Sequence, residues 1–257
     1  MKQTIIAANW KMNLTVHEAS TLVHRLNENI KTHRDIEIIL APNFVALQPL
    51  SLEIDHRKFK LAAQNAYIQD SGAYTGEVSF SMLRNLVSYC LIGHSERRIY
   101  FNETLEVVRD KVQAAIRNGI RPILCVGETS HERTNGETRR VVHDQVTTAL
   151  SNLTSEEIEQ VVIAYEPVWA ISTFGGQVAK PDDIQKVMKL IRHSVYELYG
   201  QSAADHISIL YGGSVKADTV GAYLALEDCN GALVGGASLV YKEFAGIVDR
   251  AYQVAHQ

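Results

Sequence analysis

Short apolar segments rich in β-branched residues recur along the chain, and each is followed by a polar turn and then by a stretch with helical periodicity. These segments are apolar on both faces instead of alternating with polar residues, which is typical of parallel strands covered by helices. The pattern predicts eight strands: Thr4–Asn9, Ile36–Ala41, Phe59–Gln64, Ser88–Ile92, Pro122–Val126, Val161–Tyr165, Ile207–Tyr211 and Ala232–Val234.

The stretches between these strands have the spacing of amphipathic helices. Apolar side chains recur every three or four residues over 22–30 and again over 184–198. Asp182 or Asp183, just behind Pro181, is expected to cap the second of these helices.

Repeated strand–helix units predict an α/β protein whose strands close into a single (β/α)8 barrel, one domain over residues 1–257. The alternative is a doubly wound open sheet. Such a sheet usually carries a glycine-rich turn after its first strand, whereas this chain has Asn9-Trp10-Lys11-Met12-Asn13 there.

Composition narrows the function classes. The chain has 257 residues, of which 46% are hydrophobic and 21% charged, a balance typical of a folded globular protein. The net charge of −4, from 25 basic and 29 acidic residues, argues against binding nucleic acid or a membrane surface. Three dispersed cysteines, no secretory leader pattern and no apolar run of about 18 residues lead us to expect a cytoplasmic protein.

Unusual polar and small residues follow the predicted strands at their carboxyl ends. All strands of a parallel barrel point the same way, so these ends share one face of the barrel. We therefore expect one polar mouth. Its members are Asn9, Lys11, Gln64, Asn65, His94, Glu128, Glu166, Gly212, Gly213, Ser214, Gly235 and Gly236.

The two glycine pairs follow the last two strands. Glycine lets a ligand approach the backbone N–H groups closely, so Gly212-Gly213 and Gly235-Gly236 predict a phosphate cradle, the alternative being tight turns without a ligand. Lys11 is compatible with three roles: a partner for a phosphate or oxyanion, a Schiff-base amine, or a surface lysine.

His94 and Glu166 are candidates for proton transfer. A helix beginning at Ser95 would lower the pKa of His94 and favour a neutral imidazole that donates a hydrogen bond, the alternative being a structural histidine. Apolar neighbours would raise the pKa of Glu166 and make it a better base near neutral pH, the alternative being an ion-paired or capping carboxylate. Glu128 and Gln64 are expected to support these groups, and residues 170–179 are expected to form a lid.

These residues occur in segments that together resemble the triosephosphate isomerase family over almost the whole chain. The resemblance rests on the segments Ala8–Asn13, Gln64-Asn65, Gly72–Glu77, Gly93–Arg98, Cys125–Glu128, Ala164–Ile171, Tyr211–Val215 and Leu233–Leu239.

The resemblance implies a (β/α)8 TIM barrel that interconverts dihydroxyacetone phosphate and D-glyceraldehyde 3-phosphate in glycolysis and gluconeogenesis, with no cofactor and no metal. Each role that it implies belongs to a matching position. Glu166 would take the carbon-bound proton, His94 would move protons between the substrate oxygens, and Lys11 and Asn9 would stabilise the enediolate. Glu96, a neighbour of Lys11, and Gly213 would support the site, and Ser172, Ser214, Gly235 and Gly236 would serve the phosphate. The family is usually a homodimer in which residues 65–79, with Thr75 at the tip, reach into the partner's site.

The lid departs from the family pattern. Where the family has a short Gly-Thr-Gly-Lys-like stretch after Ile171, this chain has Ser172 to Ala179, two residues longer and with the bulky Phe174. We expect slower or less complete closure for this reason. Restoring the short tip should raise kcat, and an unchanged kcat with unchanged closure rates would contradict the prediction.

Three other functions remain open at this point. A longer lid would suit an isomerase of a longer phosphorylated ketose, such as a tetrulose phosphate. Lys11 would suit a Schiff-base lyase, and the glycine pairs alone would suit a barrel that binds phosphate ligands without catalysis.

Overall fold

The eight predicted strands form a closed parallel barrel in which each strand pairs with the next and β1 pairs with β8. The structure is a computed structural model that describes residues 3–31, 33–175 and 178–256. The strands are β1 Thr4–Asn9, β2 Ile36–Ala41, β3 Phe59–Ala63, β4 Tyr89–Ile92, β5 Arg121–Val126, β6 Val162–Tyr165, β7 Ser208–Tyr211 and β8 Gly231–Val234. The closed ring confirms the (β/α)8 barrel and excludes the doubly wound sheet.

Helices follow the strands around the barrel. They are α1 Val16–Asn29, α2 Phe44–Glu53, α3 Phe80–Leu83, α4 Ser95–Tyr100, α5 Leu105–Arg117, α6 Ser130–Thr134, α7 Thr138–Leu150, α8 Pro181–His206 with an interruption at Gly200, α9 Val220–Leu224 and α10 Tyr241–Ala255. Short 3₁₀ turns cover Glu157–Gln160, Val168–Ala170, Ser172–Phe174 and Gly236–Leu239.

Two layers of apolar packing explain why the strands lack alternation. Ile5 and Ala7 of β1 lie in a cluster inside the barrel, whereas Ile6 and Ala8 lie in the larger cluster that includes the surrounding helices. Both faces of the strands are therefore largely buried, Lys60 of β3 being an exposed exception, and the strands form a rigid platform for the residues at their ends.

Six strand boundaries differ by one residue from the prediction. Strand β3 ends at Ala63, and the side-chain amide of the next residue, Gln64, donates to the Lys11 and Ala41 carbonyls. Strands β4, β6 and β7 begin one residue later than predicted, and β5 and β8 one residue earlier. Strand β8 begins at Gly231, where a Cβ atom would lie 1.8 Å from the Ile5 carbonyl oxygen, so the closure of the barrel requires a glycine there.

The predicted cap of α8 is wrong. Lys180 occupies the N-cap position without a side-chain hydrogen bond, and Pro181 is the first helical residue. Asp182 and Asp183 instead lie in the first turn, where their charges favour the positive end of the helix. Within the described ranges, no helix combines the length and apolar character needed to cross a membrane.

Candidate active site

A cavity of about 350 Å³ lies at the carboxyl ends of the strands, a size typical of small-molecule sites. The predicted mouth residues that line it are Asn9, Lys11, His94, Glu166, Gly212, Gly213, Ser214, Gly235 and Gly236, whereas the predicted Gln64, Asn65 and Glu128 do not. Glu96 forms an ion pair with Lys11, which is one of the lining residues. Polar side chains from β1, β4 and β6 and backbone from β7 and β8 therefore converge as predicted.

Glu166 and His94 are in direct contact at the floor of the cavity. Both side chains are almost fully buried, and His94 Nε2 lies 3.0 Å from Glu166 Oε1. The other carboxylate oxygen accepts a hydrogen bond of 3.2 Å from the Ser95 N–H. Because the Glu96 N–H donates to His94 Nδ1 at 3.3 Å, the lone pair lies on Nδ1 and the proton on Nε2. A neutral imidazole thus satisfies both contacts and donates to Glu166.

The pKa shifts of this pair run opposite to the sequence prediction. Burial on its own would lower the pKa of His94, but the carboxylates of Glu166 and Glu96 outweigh it and raise the pKa. Burial would likewise raise the pKa of Glu166, but His94, the Ser95 N–H and Lys11 outweigh it and lower the pKa. Each group favours the charged form of the other in this arrangement.

Replacing Glu166 with glutamine is expected to lower the pKa of His94. The substitution removes the carboxylate that raises this pKa, while burial and the start of α4 continue to lower it. A titration of the imidazole ¹⁵N shifts by NMR checks this, with the exposed Glu227→Gln as a control that leaves the His94 titration unchanged. An equal or higher pKa in Glu166→Gln would contradict the stated cause.

Lys11 is held in a fixed position above this pair. Its ammonium lies 2.5 Å from Glu96 Oε1, and its backbone N–H donates to Asn9 Oδ1 at 3.0 Å. Its φ of 52° lies in the left-handed region, and the Gln64 amide donates to its carbonyl at 2.8 Å, which is the support predicted for Gln64. Several independent contacts therefore maintain a strained backbone at a cavity residue.

The glycine pairs that follow β7 and β8 contribute backbone without side chains to the wall of the cavity. A Cβ atom at Gly213 would lie 2.2 Å from Tyr211 Oη, so this position accepts no larger residue. Gly235 leads into the 3₁₀ turn Gly236–Leu239, and Ser238 Oγ donates back to the Gly235 carbonyl. Backbone N–H groups at such a turn form a site for an anion.

Ser214 contacts the lid segment. Its N–H and its hydroxyl both donate to the Ala170 carbonyl, at 3.3 and 2.8 Å. The side chain of Ser172, predicted to serve the phosphate, lies outside the described residues. Beyond it, Thr173 Oγ1 lies 3.4 Å from both Lys11 Nζ and Glu96 Oε1. Sequence reasoning missed Thr173 because only the folded lid brings it to this ion pair.

Phe174, the bulky residue of the long lid, packs on α4. Its ring centroid lies 5.9 Å from that of Tyr100, and its N–H donates to the Ile171 carbonyl at 2.9 Å. Tyr100, at the end of α4, is therefore the residue through which Phe174 would affect closure of the lid in the predicted way.

Glu128 holds the start of the lid, as a supporting residue should. Its carboxylate accepts hydrogen bonds from Trp169 Nε1 at 2.9 Å and from Tyr165 Oη at 3.1 Å. Arg133 lies 4.1 Å over the Trp169 ring and 3.7 Å from Glu128. Burial raises the pKa of Glu128 despite these partners. Arg133 was not predicted, although it lies on α6, the helix that directly follows Glu128 and Thr129.

Thr75 lies apart from the cavity of its own chain. The segment 65–79 closes at its base through the Tyr67–Val78 hydrogen bond of 2.8 Å, and Thr75 is exposed at its tip. Among the residues that the structure describes, no cluster of three His, Cys, Asp or Glu side chains has the arrangement of a metal site.

A closed eight-stranded parallel barrel with a polar cavity at the carboxyl ends of its strands defines the class of (β/α)8-barrel proteins. Within this class, a sequence model described as triosephosphate isomerase matches residues 4–251. The chain belongs to the triosephosphate isomerase family.

Curated relatives agree over nearly the full length. The chain is 46% identical to a triosephosphate isomerase of Clostridium perfringens over 250 residues, 97% of this chain and all of the relative. The triosephosphate isomerases of Caldanaerobacter subterraneus subsp. tengcongensis and Clostridium beijerinckii are 47% and 44% identical over the same shares of each chain.

Proposed function

We propose that the protein interconverts dihydroxyacetone phosphate and D-glyceraldehyde 3-phosphate by proton transfer through an enediolate. The observation that carries this proposal is the contact between the buried carboxylate of Glu166 and the buried imidazole of His94. Both line a cavity whose wall also includes Lys11 and several glycine residues. A proton beside a carbonyl is only weakly acidic, so its removal needs a base and an electrophile that act together.

Glu166 is the proposed base. Its two oxygens contact His94 and the Ser95 N–H, so the side chain has to leave these partners to reach a substrate carbon. That movement removes contacts that lower its pKa, whereas the burial that raises the pKa remains. Substrate binding would thereby convert a stabilised carboxylate into a stronger base.

The electrophilic side of the reaction is assigned to His94, Lys11 and Asn9. Once Glu166 has moved, the Nε2–H of His94 is available to the substrate oxygens, between which the imidazole would shuttle protons. The ammonium of Lys11 and the amide of Asn9, both on the cavity wall, would stabilise the enediolate charge. Glu96 would keep the ammonium in place.

The phosphate would lie against Gly213, Ser214, Gly235 and Gly236, with Ser172 of the lid closing over it. Ser214 would exchange its contact with the Ala170 carbonyl for a phosphate oxygen, which couples phosphate binding to the start of the lid. A covered enediolate phosphate is protected from water and from loss of its phosphate.

A coupled isomerase assay with D-glyceraldehyde 3-phosphate, run on the wild type and on Glu166→Gln, tests the proposal. We expect turnover by the wild type that depends on the carboxylate. Absence of turnover would refute the function. A higher kcat/KM on a tetrulose phosphate would favour the longer-ketose reading, and borohydride trapping at Lys11 would favour a lyase.

We also propose that residues 1–257 form one domain, that the protein acts in the cytoplasm, and that it is a homodimer through residues 65–79. The closed ring of strands supports a single domain, and the three free cysteines, all buried, are compatible with a reducing compartment.

Exposed apolar side chains support the dimer: Met12 and Val45 are 96% and 76% exposed, and Asn43 joins their segments by hydrogen bonds to the Asn13 and Leu14 carbonyls.

Val45→Glu is expected to weaken self-association by about tenfold or more, because a carboxylate would be buried in the interface without a partner. Sedimentation velocity over a concentration series measures the effect. The matched change Tyr196→Glu, at an exposed aromatic residue on α8, should leave association unchanged. Equal association of the two variants would contradict an interface at Val45.

A further inference from the structure

A second cavity, of about 140 Å³, lies between the connections that follow β4 and β5 and is lined in part by Glu166. Residues of its wall include Ser95, Arg98, Ile99, Cys125, Thr129 and Gln145. We call this second cavity the side chamber. Glu166 lines both the side chamber and the substrate cavity, so the two cavities meet at this residue.

The side chamber reaches the protein surface. Ile99 on α4 is 42% exposed, and Thr129 and Glu132 on the opposite wall are half-buried. The inner wall, by contrast, consists of the buried residues Ser95 and Glu166. The side chamber therefore runs from solvent to the carboxylate by a route that does not pass through the lid-covered mouth.

The interior of the side chamber is polar enough for water. Ser95 is 95% buried, and its hydroxyl has no hydrogen-bond partner among the residues that the structure describes. Arg98 and Gln145 also line the side chamber, but Arg98 already donates to the Gly93 and Cys125 carbonyls, and the Gln145 amide bonds the backbone of Gly127. A buried water needs two to four polar partners and about 30 Å³, so the volume accommodates several molecules.

The apolar alternative does not fit this wall. Cavities that stay dry are lined only by aliphatic and aromatic side chains, whereas the wall of this one includes the unpartnered Ser95 hydroxyl and Glu166. A buried hydroxyl without a partner costs free energy that a bound water recovers.

We propose that the side chamber is a water path through which Glu166, once protonated by the substrate, exchanges its proton with solvent while the mouth is covered. The inference rests on the proposed function. In the exchange, a chamber water accepts the proton from the carboxylic acid as the O–H bond breaks, and a second water returns a solvent proton to the same oxygen. The carboxylic acid is thereby regenerated with a proton from solvent, and no net charge moves.

The consequence is a competition during each turnover. The protonated Glu166 either returns the substrate-derived proton to carbon or first exchanges it with solvent. In D₂O, the first route gives product with the original hydrogen and the second gives product with deuterium at that carbon. The ratio of the two products therefore reports access of solvent to Glu166, independently of the overall rate.

Substitutions at Ile99 test the path in both directions. Ile99→Trp narrows the outer end and is expected to lower the ratio of deuterated to undeuterated product by about twofold or more, whereas Ile99→Ala widens it and should raise the ratio. Product from dihydroxyacetone phosphate in D₂O is analysed by ¹H NMR at low conversion. Ile99 is partly exposed, and far-UV circular dichroism verifies that both variants fold.

Leu198→Trp is the matched control, because Leu198 on α8 is 40% exposed, close to the exposure of Ile99, and does not line the side chamber. Its ratio should equal that of the wild type. Opposite shifts in the two Ile99 variants support the path. Unchanged ratios, or shifts of the same sign, overturn it and assign the exchange to the covered mouth. Absence of wild-type turnover would instead refute the isomerase function on which the inference rests.

Discussion

Glu166→Gln is expected to lower kcat by about 10²- to 10⁴-fold, the contribution typical of a positioned general base. The glutamine side chain has nearly the same shape and keeps an oxygen that can accept from the Ser95 N–H, which lies 3.2 Å from the carboxylate in the wild type. It cannot take a proton from carbon. KM should change little, because Lys11 and the glycine-lined wall remain available to the phosphate.

Steady-state kinetics in both reaction directions measure this effect, and both kcat values should fall by a similar factor because one base serves both. Glu227→Gln provides the control, because this exposed residue contacts Lys189 on the surface away from the cavity. A loss of less than about tenfold would assign the base to another residue. A loss confined to KM would indicate a binding role for Glu166.

The fold was predictable because each level of the sequence pattern agrees with the next. Strands apolar on both faces require cover by helices, and eight of them in repeated units close into a barrel. The position of the site followed from the same argument, since parallel strands place their carboxyl ends together. Lys11, His94 and Glu166 lie far apart in the chain, yet they line one cavity.

The electrostatics of the site could not be predicted in the same way. Whether burial or a neighbouring charge dominates a pKa depends on separations of a few ångström, and the partners of Glu166 lie about 71 positions earlier in the chain. The sequence indicated apolar surroundings for Glu166 and a helix start beside His94, and both are present. It did not indicate that the two side chains touch, which reverses both shifts.

Contacts across the barrel mouth were hidden for a related reason. Thr173 meets the Lys11–Glu96 pair, and Arg133 covers Trp169, through side-chain directions that no periodicity encodes. The side chamber is a property of packing alone: it exists because the connections after β4 and β5 leave a gap that Glu166 helps to line. Spacing along the sequence contains no measure of such a gap.

Gly127→Ala is expected to lower kcat by about 10²-fold while the barrel remains folded. The backbone φ of Gly127 is not in the left-handed region, so alanine is locally permitted, but its Cβ would lie 1.8 Å from the Glu166 carbonyl oxygen. Cβ contacts below 3.0 Å essentially never occur, so the Glu166 backbone has to move by more than an ångström. Misplacement of a catalytic group by about 1 Å costs about 10²-fold in rate.

The comparison of Gly127→Ala with Gly246→Ala separates this displacement from a general loss of stability. Gly246 lies in α10, where an added Cβ meets only the Ala217 methyl at 3.0 Å and alanine favours the helix. Steady-state kinetics and thermal unfolding are measured for both. We expect the rate loss in Gly127→Ala alone, and it should be non-additive with Glu166→Gln, because a displaced base and an absent base remove the same contribution. Additive losses would show that Gly127 acts on turnover through a group other than the Glu166 carboxylate.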